Sequence, residues 1–302
     1  MPRIGAAGAR ERRFGGSCLS CTSAVIEPTP ASRPPGRQGF FPNLFLRTPQ
    51  TLGFMVILAF FLGHWYLSLF TQTFFQHRYA AHRMFTMSRL WENVFFLLTY
   101  LCQGSSFMSP RSYALLHRMH HAYSDTARDP HSPHHSSNAF LMMWKTRTVY
   151  QDVLQRRSDD ARRFEDHSYP EWAPLENFAH RWYGRLGWGV FYIGFYIAFA
   201  TAWWQYLLLP LHFLMGAVHG AIVNWSGHKY GYQNFDNRDQ SRNSLFFDFL
   251  TGGELFQNNH HKLPMRANFG VRWWELDPTY PVIWALDKVR VIRLKRPVAP
   301  VL

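Results

Sequence analysis

The chain has 302 residues, enough for one large domain or two ordinary ones, and a net charge of +13. That charge raises the question of nucleic acid, but no nucleic-acid motif accompanies it and the cations are spread over several polar segments. A membrane surface, an acidic redox partner or a phosphorylated substrate accounts for it as well. The three cysteines exclude a disulfide scaffold: Cys18 and Cys21 form a lone CxxC that cannot close a zinc site without two more ligands, and Cys102 sits in an apolar run.

Residues 1–45 are rich in arginine, proline and glycine and lack an apolar signal-peptide core, so they read as a disordered basic leader ahead of one domain over 46–302. From Thr51 to Phe75 no Asp, Glu, Lys or Arg occurs, a run long enough to span a bilayer with some tilt. A shorter apolar run, 93–110, is too brief for a comfortable span and reads as interfacial. A polar stretch from Arg111 to Arg185 follows. Residues 186–227 are again uncharged, the length of two spans, with Pro210 near the middle where a tight turn belongs. Aromatic residues such as Trp203, Trp204 and Trp225 suit the interfacial belts of such a hairpin. The positive-inside rule places the polar segments on the cytoplasmic side. A crossing at 51–75 alone puts the leader on the other face, unless Phe40–Leu46 helps to form a bent hairpin.

Sixteen histidines are many, and their placement carries the argument. His77-Arg-Tyr-Ala-Ala-His82 follows the first apolar run. His117-Arg-Met-His120-His121 and Gln257-Asn-Asn-His260-His261 come later. On an α-helix, His117, His120 and His121 share a face, and His120 and His121 lie about 100° apart. His77 and His82, five apart, lie roughly 140° around an α-helix, a spacing better suited to two metals than to one. Imidazole suits iron, zinc, copper and nickel, whereas magnesium and calcium want oxygen. Seven box histidines plus His228 exceed the three or four ligands of a zinc ion and point to two metals. His64, His167, His180, His212 and His219 read as isolated core or surface residues. His131, His134 and His135, in a Pro/Ser-rich loop, read as structural.

The words "HRYAAHRMF", "HRMHHAYSDTARDPHSP", "NWSGHKYGY" and "NNHHKLP" make residues 50–290 resemble the membrane fatty-acyl desaturases, specifically the acyl-CoA Δ9-type branch. The resemblance implies an all-α integral membrane protein, its transmembrane helices capped by a cytosolic helical domain that carries a diiron centre. It implies two Fe ions held by His77, His82, His117, His120, His121, His228, His260 and His261, with Asn224 acting through a bound water. The family's third box begins with His where this chain has Gln257, a weaker ligand that can bind metal through its amide oxygen or hold a water. The co-substrate is then O2, the substrate a fatty acyl-CoA or acyl-lipid, and the setting membrane lipid. No haem-binding or ferredoxin-like stretch is visible, so the two electrons come from a separate ferredoxin or cytochrome-b5-like protein, whose acidity suits a basic surface. Asp125 and Asp129, behind the second box, are placed to orient ligand imidazoles or to end the helix before Pro130. Arg78 and Arg118 are candidates for a CoA or lipid phosphate. The alternatives are lipid hydroxylation or ketolation at the same centre, a membrane zinc hydrolase, and a degenerate non-catalytic member marked by Gln257.

Overall fold

A computed structural model describes residues 49–295; the leader, the CxxC pair, Phe40–Leu46 and Arg296 lie outside the described residues. The first apolar run forms α1 (Pro49–Thr71), which continues without a break into a π-helical stretch over Gln72–Ala81. Gln50–Ala81 is, among the described residues, the one helix long and apolar enough to cross a membrane, and 28% of its most apolar window is buried inside the protein. A Ser88 side chain that accepts the Trp91 N–H starts α2 (Arg89–Gln103), after the short strand β1 (Phe85–Met87). Helix α2 runs back antiparallel along α1: Tyr79 donates to Glu92 at 2.5 Å, Phe95 packs on Phe74, and Cys102 lies beside Phe60 and His64.

The capping pair Ser109–Pro110 opens α3 (Pro110–Tyr123), which packs against the π-helical stretch and carries the second box. Helix α4 (Ala139–Leu154) follows, then the single turn α5 (Asp159–Arg162) and α6 (Ala173–His180). The long uncharged segment forms α7 (Trp182–Phe199), a tight turn at Ala200–Ala202, a short 3₁₀ stretch over Trp203–Leu208, α8 (Leu209–Phe213) and α9 (Met215–Lys229). The hairpin therefore turns ten residues before the position expected from Pro210. Gln205 fixes the turn by accepting the backbone N–H groups of Thr201 at 2.7 Å and Ala202 at 2.9 Å. Pro210 instead occupies the first turn of α8, where its missing N–H costs nothing. Trp203–Phe213 and Met215–Lys229 meet at 73° and are together long and apolar enough for a second, bent span. The third box lies on α10 (Gln257–Lys262), followed by α11 (Tyr280–Lys288) and β2 (Ile292–Leu294). Strand β2 pairs antiparallel with β1, Thr86 opposite Arg293, which ties the end of the described chain to the exit of the first box.

The main core gathers Phe74, Phe75, Phe85, Phe95, Phe96, Phe256, Phe269, Ile283 and Ile292, so its aromatic side chains come from α2 and from the chain around the first and third boxes. Through this core runs Arg78, fully buried. Its guanidinium bonds Asp277 at 2.8 Å, Glu254 at 3.3 Å and the Ala267 carbonyl at 3.0 Å, and it stacks on Phe269 at 3.8 Å. Arg118 donates to Asp166 at 2.7 Å and to the Ala81 carbonyl at 3.0 Å. Neither arginine is free for a phosphate, contrary to the expectation from sequence: both hold segments together. Arg78→Ala leaves two buried carboxylates without their cation and is expected to cost about 3–5 kcal/mol. Arg78→Lys, which lacks the planar fork, is expected to recover only part of that. Thermal unfolding of the detergent-solubilised variants measures both.

Candidate metal centre

The first surprise of the geometry is where His77 and His82 go. Both belong to one group of five histidines, His77, His82, His117, His121 and His260, whose ligand nitrogens all lie within 4.8 Å of one another. The 140° separation expected of an α-helix does not apply, because the backbone here is π-helical. An i→i+5 ladder stacks His82 over His77, and the His82 N–H donates to the His77 carbonyl at 3.2 Å. Nε2 atoms face one another throughout the group: His77 to His260 at 3.0 Å, His82 to His117 at 2.8 Å, and His121 to both His117 and His260 at 3.0 Å.

His120, His228 and His261 form a second group within the same 4.8 Å limit. The two His-His pairs are therefore divided. His121 and His260 serve the first group, and His120 and His261 the second, because adjacent helical residues point about 100° apart. The second box thus splits i, i+4 from i+3, whereas the sequence pattern alone had them converging. His228 arrives from the end of α9.

What orients each ring is its other nitrogen. His120 Nδ1 lies 3.0 Å from Asp129, His228 Nδ1 2.9 Å from Asp125, His261 Nδ1 2.6 Å from Asp239, and His77 Nδ1 2.5 Å from Glu254. Asp125 and Asp129 thus stand behind ligand-type imidazoles. Asp125 holds a left-handed backbone (φ 60°) and also accepts the Gln240 N–H at 2.8 Å, joining the second box to the loop that bears Asp239. Sequence reasoning missed Asp239 and Glu254. The only signal for Glu254 was its place three residues before Gln257, and Asp239 lies in a polar loop with no motif.

Burial would raise the carboxyl groups of Asp125, Asp129, Asp239 and Glu254, yet each is held down by its histidine. Asp125 falls to about 2 through its hydrogen bond with His228, and Asp129, Asp239 and Glu254 fall below their ordinary values through His120, His261 and His77. His82, His117, His121 and His260 are pushed well below the ordinary histidine range, first by burial and then by one another's charge. Burial thus favours the neutral imidazole at His82, His117, His121 and His260, the form that ligates metal, whereas at His120 burial is outweighed by Asp129, which raises it above the ordinary histidine value.

Gln257 is tied to its own stretch of chain. Its Nε2 donates to the Glu254 carbonyl at 2.7 Å, and its Cγ lies only 2.4 Å from where a Cβ on Gly227 would stand. Asn224, one turn before His228 on α9, lines the same cavity as Gln257. His131 is buried beside His120, ring centroids 4.3 Å apart, and forms a further metal-capable group with His120 and Asp129. His134 and His135 contact backbone carbonyls, those of His228 at 2.9 Å and Asp125 at 3.1 Å. His64 and His212 share a 2.6 Å hydrogen bond far from the boxes.

The residues fit a pair of cations. The Nε2 atoms of His120, His228 and His261 are buried without a hydrogen-bond partner, and such atoms are costly unless something binds them. In the first group five ring nitrogens crowd together, and their lone pairs are satisfied together only by a shared ion.

A sequence profile of the fatty acid desaturase family matches residues 51–294. The chain is 28% identical, over 78% of its length and 76% of the relative's, to a hex-5-enoyl-[acyl-carrier protein] acetylenase of Moorena producens. It is 30% identical to an sn-1 stearoyl-lipid 9-desaturase of Synechocystis over 68% of this chain and 61% of the relative. With an acyl-CoA 5-desaturase of Anemone leveillei the figures are 29%, 72% and 65%. The chain belongs to the fatty acid desaturase family. It is a fatty acyl desaturase, with histidine groups suited to a metal site.

Because a carboxylate behind a metal-bound histidine fixes its tautomer and orientation, Asp239→Asn is expected to weaken metal binding at the three-histidine group about 10- to 100-fold. The five-histidine group should be unaffected. Chelator competition followed by metal analysis should therefore show one of two ions becoming labile.

Proposed function

We propose that this chain introduces a double bond into a long fatty acyl chain using two iron ions and O2, one iron at the five-histidine group and one at the three-histidine group. The observation that carries the reading is an apolar cavity that meets the five-histidine group at His117 and reaches His131, which lies beside His120 of the other group. About 680 Å³ in volume, the cavity is walled by α4 and α9 and reaches His117, His131, Asn224 and Gln257. Its size is that of a site for a ligand of lipid or drug dimensions. Oxidising an unactivated C–H bond is beyond any side chain; the metal pair, when bound, supplies that chemistry together with O2.

The protein's own residues do the rest. The histidines hold the metals, and Asp125, Asp129, Asp239 and Glu254 keep the rings in one tautomer. The cavity wall holds an acyl chain against them and keeps water away. Asn224 is placed to hold a water at the three-histidine group. Gln257 braces the start of α10, so the set of eight imidazoles does not depend on it. The substrate carrier is CoA or a lipid headgroup, in keeping with relatives named for acyl-CoA and acyl-lipid substrates.

The setting is a membrane. Helix Gln50–Ala81 presents most of its apolar surface outward, and α7 exposes Val190, Phe191, Ile193 and Ile197. With the Gln50–Ala81 helix and the α7–α9 hairpin as its membrane part, the histidine groups lie on the cytoplasmic side. Exposed Arg238, Lys262 and Arg272 surround the helix that bears His260 and His261 and offer an acidic ferredoxin or cytochrome-b5-like donor a basic surface.

Expression in desaturase-deficient yeast, with mass analysis of the extracted fatty acids, tests the reading. Wild type is expected to give products lighter by two mass units, His120→Ala none, and Gln257→His no less than wild type. Products heavier by sixteen would make the chain a hydroxylase. Unsaturated product from Gln257→His alone would make it a degenerate member.

A further inference from the structure

The cavity has a feature that its reactive end does not explain. Helix α9 presents Asn224, Gly220 and Gly216 at intervals of four, so they stack on one face and line the cavity in order away from the histidines. Glycine weakens a helix interior relative to alanine, so two of them on one face ask for a reason in packing. At Gly220 a Cβ would stand 3.7 Å from Met143 Cε on the facing wall, in ordinary contact. The two sides therefore approach to within one small side chain of each other here, and only the absence of a larger one at position 220 leaves a passage. At Gly216 the wall closes: a Cβ would meet Met108 Cε at 3.3 Å and the Ser106 carbonyl at 3.4 Å. Gly216 and Met215 are buried, and the Ser106 hydroxyl accepts the Gly216 N–H at 3.1 Å.

We propose, building on the desaturase reading, that Gly220 sets the length of acyl chain admitted on the methyl side of the carbons that are oxidised, with Gly216 marking the end of that arm. The helix itself is the ruler. At 1.5 Å per residue, Gly220 lies about 6 Å and Gly216 about 12 Å beyond Asn224. An extended chain of single bonds advances roughly 1.2 Å per atom. The arm thus holds about ten carbons past the level of Asn224, and about five as far as Gly220. The methyl end occupies it because Gly216 is met by Met108 and Ser106, with no charged side chain to receive a carrier. The cations on the cavity wall, Arg147 and Arg185, are exposed, so a phosphate-bearing carrier paired with them stays hydrated.

The test is a chain-length profile. The full chain is expressed in desaturase-deficient yeast fed saturated acids from C12 to C20. Wild type, Gly220→Ala, Gly220→Leu and Gly220→Leu with Met143→Ala are compared. Protein level and iron content are measured for each, and double-bond position is fixed by fragmentation of product adducts. Gly220→Leu is expected to lower conversion of the longest accepted chains at least about tenfold relative to chains four or five carbons shorter, within what an apolar pocket discriminates per group added or removed. Gly220→Ala should shift the profile the same way by a smaller factor, and Met143→Ala on the facing wall should restore the longer chains. The double bond, counted from the carboxyl end, should not move.

Identical length profiles in all four proteins, or an equal loss at every length with protein and iron unchanged, would overturn the ruler while leaving desaturation standing. A double bond displaced toward the carboxyl end would assign the arm to the wrong half of the chain. Absence of unsaturated product from wild type would contradict the activity itself, and with it the ruler.

Discussion

Eight imidazoles turned inward on two points cannot be held by packing alone, and the rest of this fold is arranged around that constraint. Ring nitrogens 2.8–3.0 Å apart in the first group, and three unpartnered Nε2 atoms in the second, are tolerable in a buried site only with cations among them. Four carboxylates one hydrogen bond away, Asp125, Asp129, Asp239 and Glu254, supply the negative charge that two divalent ions need for neutrality. Arg78 balances a fifth buried carboxylate, Asp277, and also bonds Glu254. Rings, carboxylates and arginine form nested layers inside an apolar shell, which is how so many ionisable groups remain buried together.

Backbone geometry then decides which nitrogen serves which ion. The π-helical stretch stacks residues five apart, bringing His77 and His82 to a single group, while the α-helical second box divides His117 and His121 from His120. The third box repeats the division between His260 and His261. Nitrogen donors are therefore distributed unequally, five against three. Helix α9 brings His228 to the three-histidine group and carries Asn224 one turn earlier. The cavity meets the larger group directly, at His117.

Much of this was legible in the sequence, and the failures have physical causes. Charge-free runs gave the helical class, because apolar burial leaves a periodic mark, and histidine spacing pointed to the side chains that the fold gathers into two groups. Assignment of His77 and His82 to different ions failed because it assumed an α-helix, and nothing in Gln72–Ala81 announces the wider ladder. The hairpin turn was placed at Pro210 because proline punctuates helices, yet a proline in the first turn of a helix breaks nothing, and Gln205 made the turn instead. Asp239 and Glu254 were invisible because a carboxylate behind a histidine is chosen by three-dimensional proximity, not by spacing. Arg78 read as a candidate for a CoA or lipid phosphate; its burial depends on Asp277, about two hundred residues away in the chain.

The central claim is that two ions of iron occupy two unequal histidine groups. Iron analysis together with Mössbauer spectroscopy of the purified, iron-57-reconstituted full chain tests it most directly. Two irons per chain in two distinguishable environments, falling to one when His228→Ala opens the three-histidine group, is the result this account predicts. A single zinc per chain, or two irons in one indistinguishable environment, would contradict it.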